Sequence, residues 1–123
     1  MLDRLDLQVE VVALTSSELQ SAESGDSSAV ICSRVREARA RQQRRGHLNA
    51  ELPDARLRRV CALDPIARAL VAEAIDRSGL SARGVMRALR VARTIADLDG
   101  AERVNDQAVA EALMYRAYEA RRV

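Results

Sequence analysis

The sequence predicts an all-α fold: a compact bundle of four or five helices, preceded by one orphan β-strand and a flexible linker. Three observations lead there. From Ser28 onward apolar residues return every three or four positions, without sustained alternation. Helix-stopping and helix-starting residues recur in pairs, Gly46 then Pro53, Gly79 then Ser81, Gly100 then Asn105. The chain has no Phe or Trp and only 2 Tyr, so its core must come from Ala, Leu, Val, Ile and Met. Such side chains let helices approach closely but bury little area each.

Residues 5–12 alternate, with Leu5, Leu7, Val9 and Val11 on one face and Asp6, Gln8 and Glu10 on the other, the period of a half-buried strand. A lone strand cannot satisfy its own backbone donors and acceptors, so its partners are expected in a second copy or in sequence upstream of Met1. Residues 15–28 turn polar and read as a linker, within which Thr15-Ser16-Ser17-Glu18 is able to cap one helical turn.

The first long helix is expected over 28–45, with Ile31, Val35 and Ala38 inward and Gly46 as its stop. Residues 47–52 read as a loop, and Pro53 opens a short helix over 54–61 with Leu57, Val60 and Cys61 inward. Asp64 caps the next helix, Pro65 suits its first turn, and Gly79 ends it; Ile66, Leu70, Val71, Ala74 and Ile75 are its inward set. Ser81 caps a helix over about 82–99 that is apolar on two sides, through Val85, Leu89, Ala92 and Ala96 and through Val91, Ile95 and Leu98, and is therefore central. Asn105 or Asp106 caps the last helix, about 106–121.

The chain's 123 residues fit one domain, and 48% apolar composition is ordinary for a globular one. All 20 basic residues are Arg, and the net charge of +2 is too small to imply nucleic acid by itself. Cys32 and Cys61 form no CxxC pair and read as reduced thiols of a cytoplasmic protein. Asp3, Arg4 and Asp6 interrupt any apolar leader, and no stretch is long enough to span a membrane. The one histidine, His47, stands in a polar loop without metal-ligand spacing, so no metal site is expected.

Several segments resemble one family. Leu2-Asp3-Arg4-Leu5-Asp6-Leu7-Gln8-Val9-Glu10-Val11 is similar to the strand that ends the core of magnesium-chelatase-like AAA+ proteins. Arg41-Gln42 with Leu48-Asn49-Ala50-Glu51-Leu52 resembles their RQ…LNAEL element. The block Leu80-Ser81-Ala82-Arg83 through Asp97-Leu98, and Val109 through Arg116, continue the match collinearly. The chain is identified on these segments as the C-terminal lid of a ComM/YifB-type magnesium chelatase-related ATPase. The resemblance implies three parts: residues 1–14 as the terminal strand of an AAA+ core, 15–28 as linker, and 29–123 as a helical lid.

The resemblance also implies roles. Arg4 occupies the place of an arginine finger that reaches the γ-phosphate held by a neighbouring subunit; a guanidinium's planar fork suits phosphate oxygens. Arg83 occupies the sensor-2 position, where a lid Arg contacts ATP phosphates, and Arg87 and Arg90 continue its face at i+4 and i+7. Asp97 is expected on that face too, with Arg93 to one side. ATP with Mg is the cofactor implied for the full-length protein, and none is expected to bind this chain tightly by itself. The partners implied are the AAA+ core, neighbouring subunits of a hexameric ring, and DNA, with no membrane. The chain holds no GxxxxGK[ST] and no Lys, so by itself it is not expected to hydrolyse ATP. An alternative of a different class is a freestanding module whose Arg-rich helix (Arg34, Arg36, Arg39, Arg41, Arg44, Arg45) binds nucleic acid or an acidic partner.

Overall fold

The computed structural model describes residues 5–20 and 25–116. It is helical, in the order α1 (Ser16–Gln20), α2 (Ser28–Arg44), a 3₁₀ turn (Asn49–Glu51), α3 (Asp54–Cys61), α4 (Pro65–Ser78), α5 (Ala82–Leu98) and α6 (Asp106–Met114).

The caps follow from residue chemistry. Thr15 and Glu18 close a reciprocal box at the head of α1: the Glu18 amide donates to Thr15 Oγ1 at 3.2 Å and the Thr15 amide to Glu18 Oε2 at 2.9 Å. Ser27, Asp64, Ser81 and Asn105 each accept from the amide three residues on, opening α2, α4, α5 and α6. Gly79 ends α4 in the left-handed region at φ 63°. Ala62 ends α3 the same way at φ 46°, where a Cβ is unfavourable.

α5 is the central helix, packed against α2, α3, α6 and the 3₁₀ turn, while α4 packs on α6. The core is Leu52, Leu57 and Cys61 from the α3 region, Met86, Leu89, Ala92 and Ala96 from α5, and Val104, Val109 and Ala112 around α6. Helix contacts built from Ala and Cys bring backbones close and give the domain its small core.

Residues 5–14 are extended, and no sheet among the described residues receives a ladder from them, so the partners expected for this strand are not among those residues; the Gln8 amide donates to Tyr115 O at 3.1 Å. Four expectations need correction. Ile31 and Val35 are exposed, because α2 touches the body through its second half, at Ala38 and Gln42. On α4, Ile66 and Ile75 are also exposed, since that helix lies at the rim rather than between two layers. The 47–52 loop contains the 3₁₀ turn. The last helix is formed to Met114, and the part of its expected range over 117–121 lies outside the described residues.

Candidate functional site

Three arginines of α5 share a face, as their spacing of four and three residues requires. Arg83, Arg87 and Arg90 line an open cleft of about 540 Å³ with Asp6, Asp54, Arg58, Ala50, Ala82 and Met86. Its walls are the first turns of α5, the start of α3, the 3₁₀ turn and the extended N-terminal segment.

The arginines differ in what holds them. Arg90 is anchored: Nη1 donates to Asn49 O at 2.9 Å and Leu52 O at 2.7 Å, and Nη2 to Asp54 Oδ1 at 3.0 Å. It fastens the 3₁₀ turn and the head of α3 to α5, and its expected nucleotide contact competes with three bonds already made. Arg87 pairs with Asp6 at 3.5 Å. Arg83 is exposed in the first turn of α5 and makes no hydrogen bond or ion pair among the described residues, and Arg58 on the opposite wall is the same. A cation at a helix N-terminus opposes the helix dipole, so fold stability gives no reason for Arg83 at this place. Arg4 lies outside the described residues.

Asp97 is not on the cleft. It turns inward, wholly buried, into a polar cluster with Arg45, Asn49 and Arg93. Arg45 grips it bidentately, Nη1 to Oδ1 at 2.8 Å and Nη2 to Oδ2 at 2.7 Å. Asn49 Nδ2 donates to Oδ2 at 3.0 Å, and Arg93, one turn back on α5, pairs with Oδ1 at 3.1 Å. Burial alone would raise the Asp97 carboxyl, but the hydrogen bonds from Arg45 and Asn49 and the charge of Arg93 outweigh it and hold the group below its ordinary value. Arg93, also buried, is lowered by desolvation against the opposing pull of Asp97.

Arg93 also organises the chain around it. It donates to Val60 O at 2.8 Å, Ala101 O at 2.6 Å and Glu102 O at 2.8 Å. The Val104 amide reaches Cys61 O at 2.9 Å, and Arg103 Nε reaches Ala62 O at 3.0 Å. The carbonyls left open at the end of α3 are thus met by cations and an amide. Arg41 closes the α2 side, donating to Asp97 O at 2.7 Å. Sequence reasoning missed this cluster, because Arg41 and Arg45 sit in a basic run that reads as a solvated face. The available signal was Arg93 and Asp97 at i,i+4, sharing a side of α5 with Leu89 and Ala96.

Chemically, the cleft offers four guanidiniums and two carboxylates. It suits a polyanion, held by charge and forked donors. His47 is exposed, and no group of His, Cys, Asp and Glu that could hold a metal occurs among the described residues. No helix is long and apolar enough to cross a membrane, among the same residues.

Residues 25–116 match the family described as "Magnesium chelatase, subunit ChlI C-terminal". That span takes in α2 to α6. The chain is 39% identical over 118 residues to Competence protein ComM of Haemophilus influenzae, covering 94% of this chain and 23% of that protein. It is 38% identical over 118 residues to the uncharacterized protein YifB of Escherichia coli, with the same coverage of 94% and 23%. An uncharacterized protein of Mycobacterium tuberculosis is 39% identical over 127 residues, 99% of this chain and 25% of the relative. The chain therefore spans about a quarter of the length of the curated relatives it matches. With a family match over most of its length and the helical body that match covers, the chain belongs to the magnesium chelatase ChlI C-terminal family.

Proposed function

We propose that the chain is the lid of a ComM-like AAA+ ATPase, that Arg83 contacts the phosphates of ATP bound with Mg in the ATPase core, and that lid movement couples hydrolysis to remodelling of DNA. The observation that carries this reading is Arg83 itself, a guanidinium without a partner among the described residues, on a basic cleft and at a helix start that disfavours a cation. Arg87 stands beside it, and Arg90 fixes the wall on which both are mounted. In the ring this reading calls for, Arg4 completes the site of the neighbouring subunit. The Competence name of the H. influenzae relative supports DNA as the object of the work.

The test is made in the longer protein. A P-loop and a Walker B motif are expected in frame upstream of Met1. Arg83→Ala there is expected to lower ATP turnover roughly tenfold or more, the worth of one charge-assisted hydrogen bond of about 1.5–3 kcal/mol. Arg68→Ala, at an exposed residue of α4 that does not line the cleft, should leave turnover unchanged. Equal turnover in wild type and Arg83→Ala overturns the reading.

A second reading, nucleic-acid binding by α2 alone, is favoured by the exposure of Arg34, Arg36, Arg39 and Arg44. It is weakened by Arg41 and Arg45, which are drawn into the body by Asp97. It predicts DNA binding by the 123-residue chain that falls steeply with salt; the lid reading predicts little affinity without the core.

A further inference from the structure

We infer that Arg58 of α3 grips the same nucleotide phosphates as Arg83, from the opposite wall of the cleft, so that the lid holds them between two helices. The inference rests on the lid reading and adds to it a second phosphate-binding residue.

The charges of the cleft decide which arginines are available. Four guanidiniums and two carboxylates line it. Asp6 is answered by Arg87, and Asp54 by Arg90. Arg58 and Arg83 remain, exposed and without a hydrogen bond or ion pair among the described residues. One belongs to α3 and the other to α5. Two guanidiniums left without acids on facing walls repel each other, and a ligand with several anionic oxygens answers both at once. The phosphates of a nucleotide are such a ligand.

Arg58 has an acid at the right spacing and does not use it. Asp54 stands four residues before it on α3, where a carboxylate and an arginine ordinarily pair along a helix. Asp54 instead takes Arg90 from α5, at 3.0 Å. That bond leaves Arg58 its charge. Together with the bonds from Arg90 to Asn49 O and Leu52 O, it also fixes the head of α3 to α5. Leu57, next to Arg58, is fully buried, so the backbone that carries Arg58 is held in the core. The guanidinium is thereby mounted on a rigid wall, as a binding residue needs to be. A basic residue in the last turn also suits the dipole of α3. Arg59 serves that purpose equally, being exposed in the same turn, but it does not line the cleft. Comparing the two residues separates a phosphate contact from a helix-end charge.

The experiment is made in the longer protein, with ADP and Mg titrated calorimetrically and ATP turnover followed as kcat/KM. Arg58→Ala is expected to bind ADP about three- to tenfold more weakly and to lose kcat/KM by a similar factor, between the worth of an exposed ion pair and that of a charge-assisted hydrogen bond. Arg59→Ala, which removes the same charge from the same turn, should leave both unchanged. Arg58→Lys keeps the charge without the fork and should recover part of the loss. The Tm without nucleotide should be the same in wild type and all three variants, while the rise that ADP and Mg produce should shrink in Arg58→Ala. If Arg83→Ala lowers turnover and Arg58→Ala matches wild type, the inference is overturned and the lid reading stands. Equal weakening in Arg58→Ala and Arg59→Ala also overturns it, since net charge alone then accounts for the loss. If Arg58→Ala alone weakens ADP and Arg83→Ala has no effect, Arg58 stands as a phosphate contact and the role of Arg83 falls. If neither Arg58→Ala nor Arg83→Ala changes nucleotide binding or turnover, the inference falls with the lid reading.

Discussion

Arg45 and Asp97 meet fork to fork, through two bonds of 2.8 and 2.7 Å that join the end of α2 to the last turn of the central helix. Both carboxylate oxygens are used, and the carboxylate has no exposure to water. Removing its charge leaves Arg93, equally buried, uncompensated. Asp97→Asn is therefore expected to destabilise the chain by about 3–5 kcal/mol, the range for breaking a buried pair from one side. Arg45→Lys keeps the charge and loses the fork, and should cost about 1–2 kcal/mol. Urea denaturation of the three proteins, read by circular dichroism, checks both values.

Acid should unfold the protein through the same carboxylate. Asp97 titrates below its ordinary value when folded, so the stability it brings is present above about pH 4 and is lost as pH falls through the folded pKa. The midpoint of thermal unfolding is expected to drop below pH 4 in wild type, and to depend less on pH in Asp97→Asn.

The two cysteines should behave oppositely. Cys32 is exposed; Cys61 is buried against Leu89 O, and burial pushes its thiol up to about 11, against the pull of Arg93. A disulfide reagent at pH 8 is expected to modify Cys32 alone in the native chain and both residues in denaturant. The unfolded thiol ionises near 9.0 and the folded one near 11, so stability is present below pH 9 and falls by on the order of 2 kcal/mol between those values. Cys61→Ala should lessen that alkaline loss.

Ala62 invites a stabilising change. Its φ of 46° is costly for a side chain and free for glycine. Ala62→Gly relieves about 1–2 kcal/mol of backbone strain and returns part of it as unfolded-chain entropy, for a net gain of up to about 1 kcal/mol. A rise of a few degrees in Tm is expected by calorimetry.

The α2 surface gives the converse. Ile31→Ser and Val35→Ser should change the stability of this chain by no more than about 0.5 kcal/mol, because both residues are exposed. Leu57→Ala, at a fully buried position, should cost about 2–5 kcal/mol. Thermal unfolding of the three variants side by side is the check.

These contrasts show what the sequence carried. Helix ends were legible because their chemistry is local: Asp64 with Pro65, Gly79 with Ser81, and Asn105 each act within a turn of where they stand. The centrality of α5 was legible from its two apolar sides. The 5–14 segment carries the alternation of a strand, but alternation reports a preference, and the neighbour a strand needs is not among the described residues. Ile31 and Val35 were misread, since periodicity marks an apolar face without saying what covers it. Of the cleft, the shared face of Arg83, Arg87 and Arg90 was legible. That Arg90 is tied down, that Arg58 faces them and that Asp97 points inward all depend on contacts between residues far apart in the chain.

That separation has a consequence for how the molecule assembles. The bonds from Arg93 to Ala101 and Glu102 span 8 and 9 residues, whereas the bond from Arg45 to Asp97 closes a loop of 52. Short loops close first, because long ones cost more chain entropy before any contact rewards them. The turn between α5 and α6 is thus the expected nucleus, and α2 with its forked arginine docks last. In unfolding the order reverses: α2 peels away first, and its amides exchange with solvent hydrogen while those of α5 are still protected.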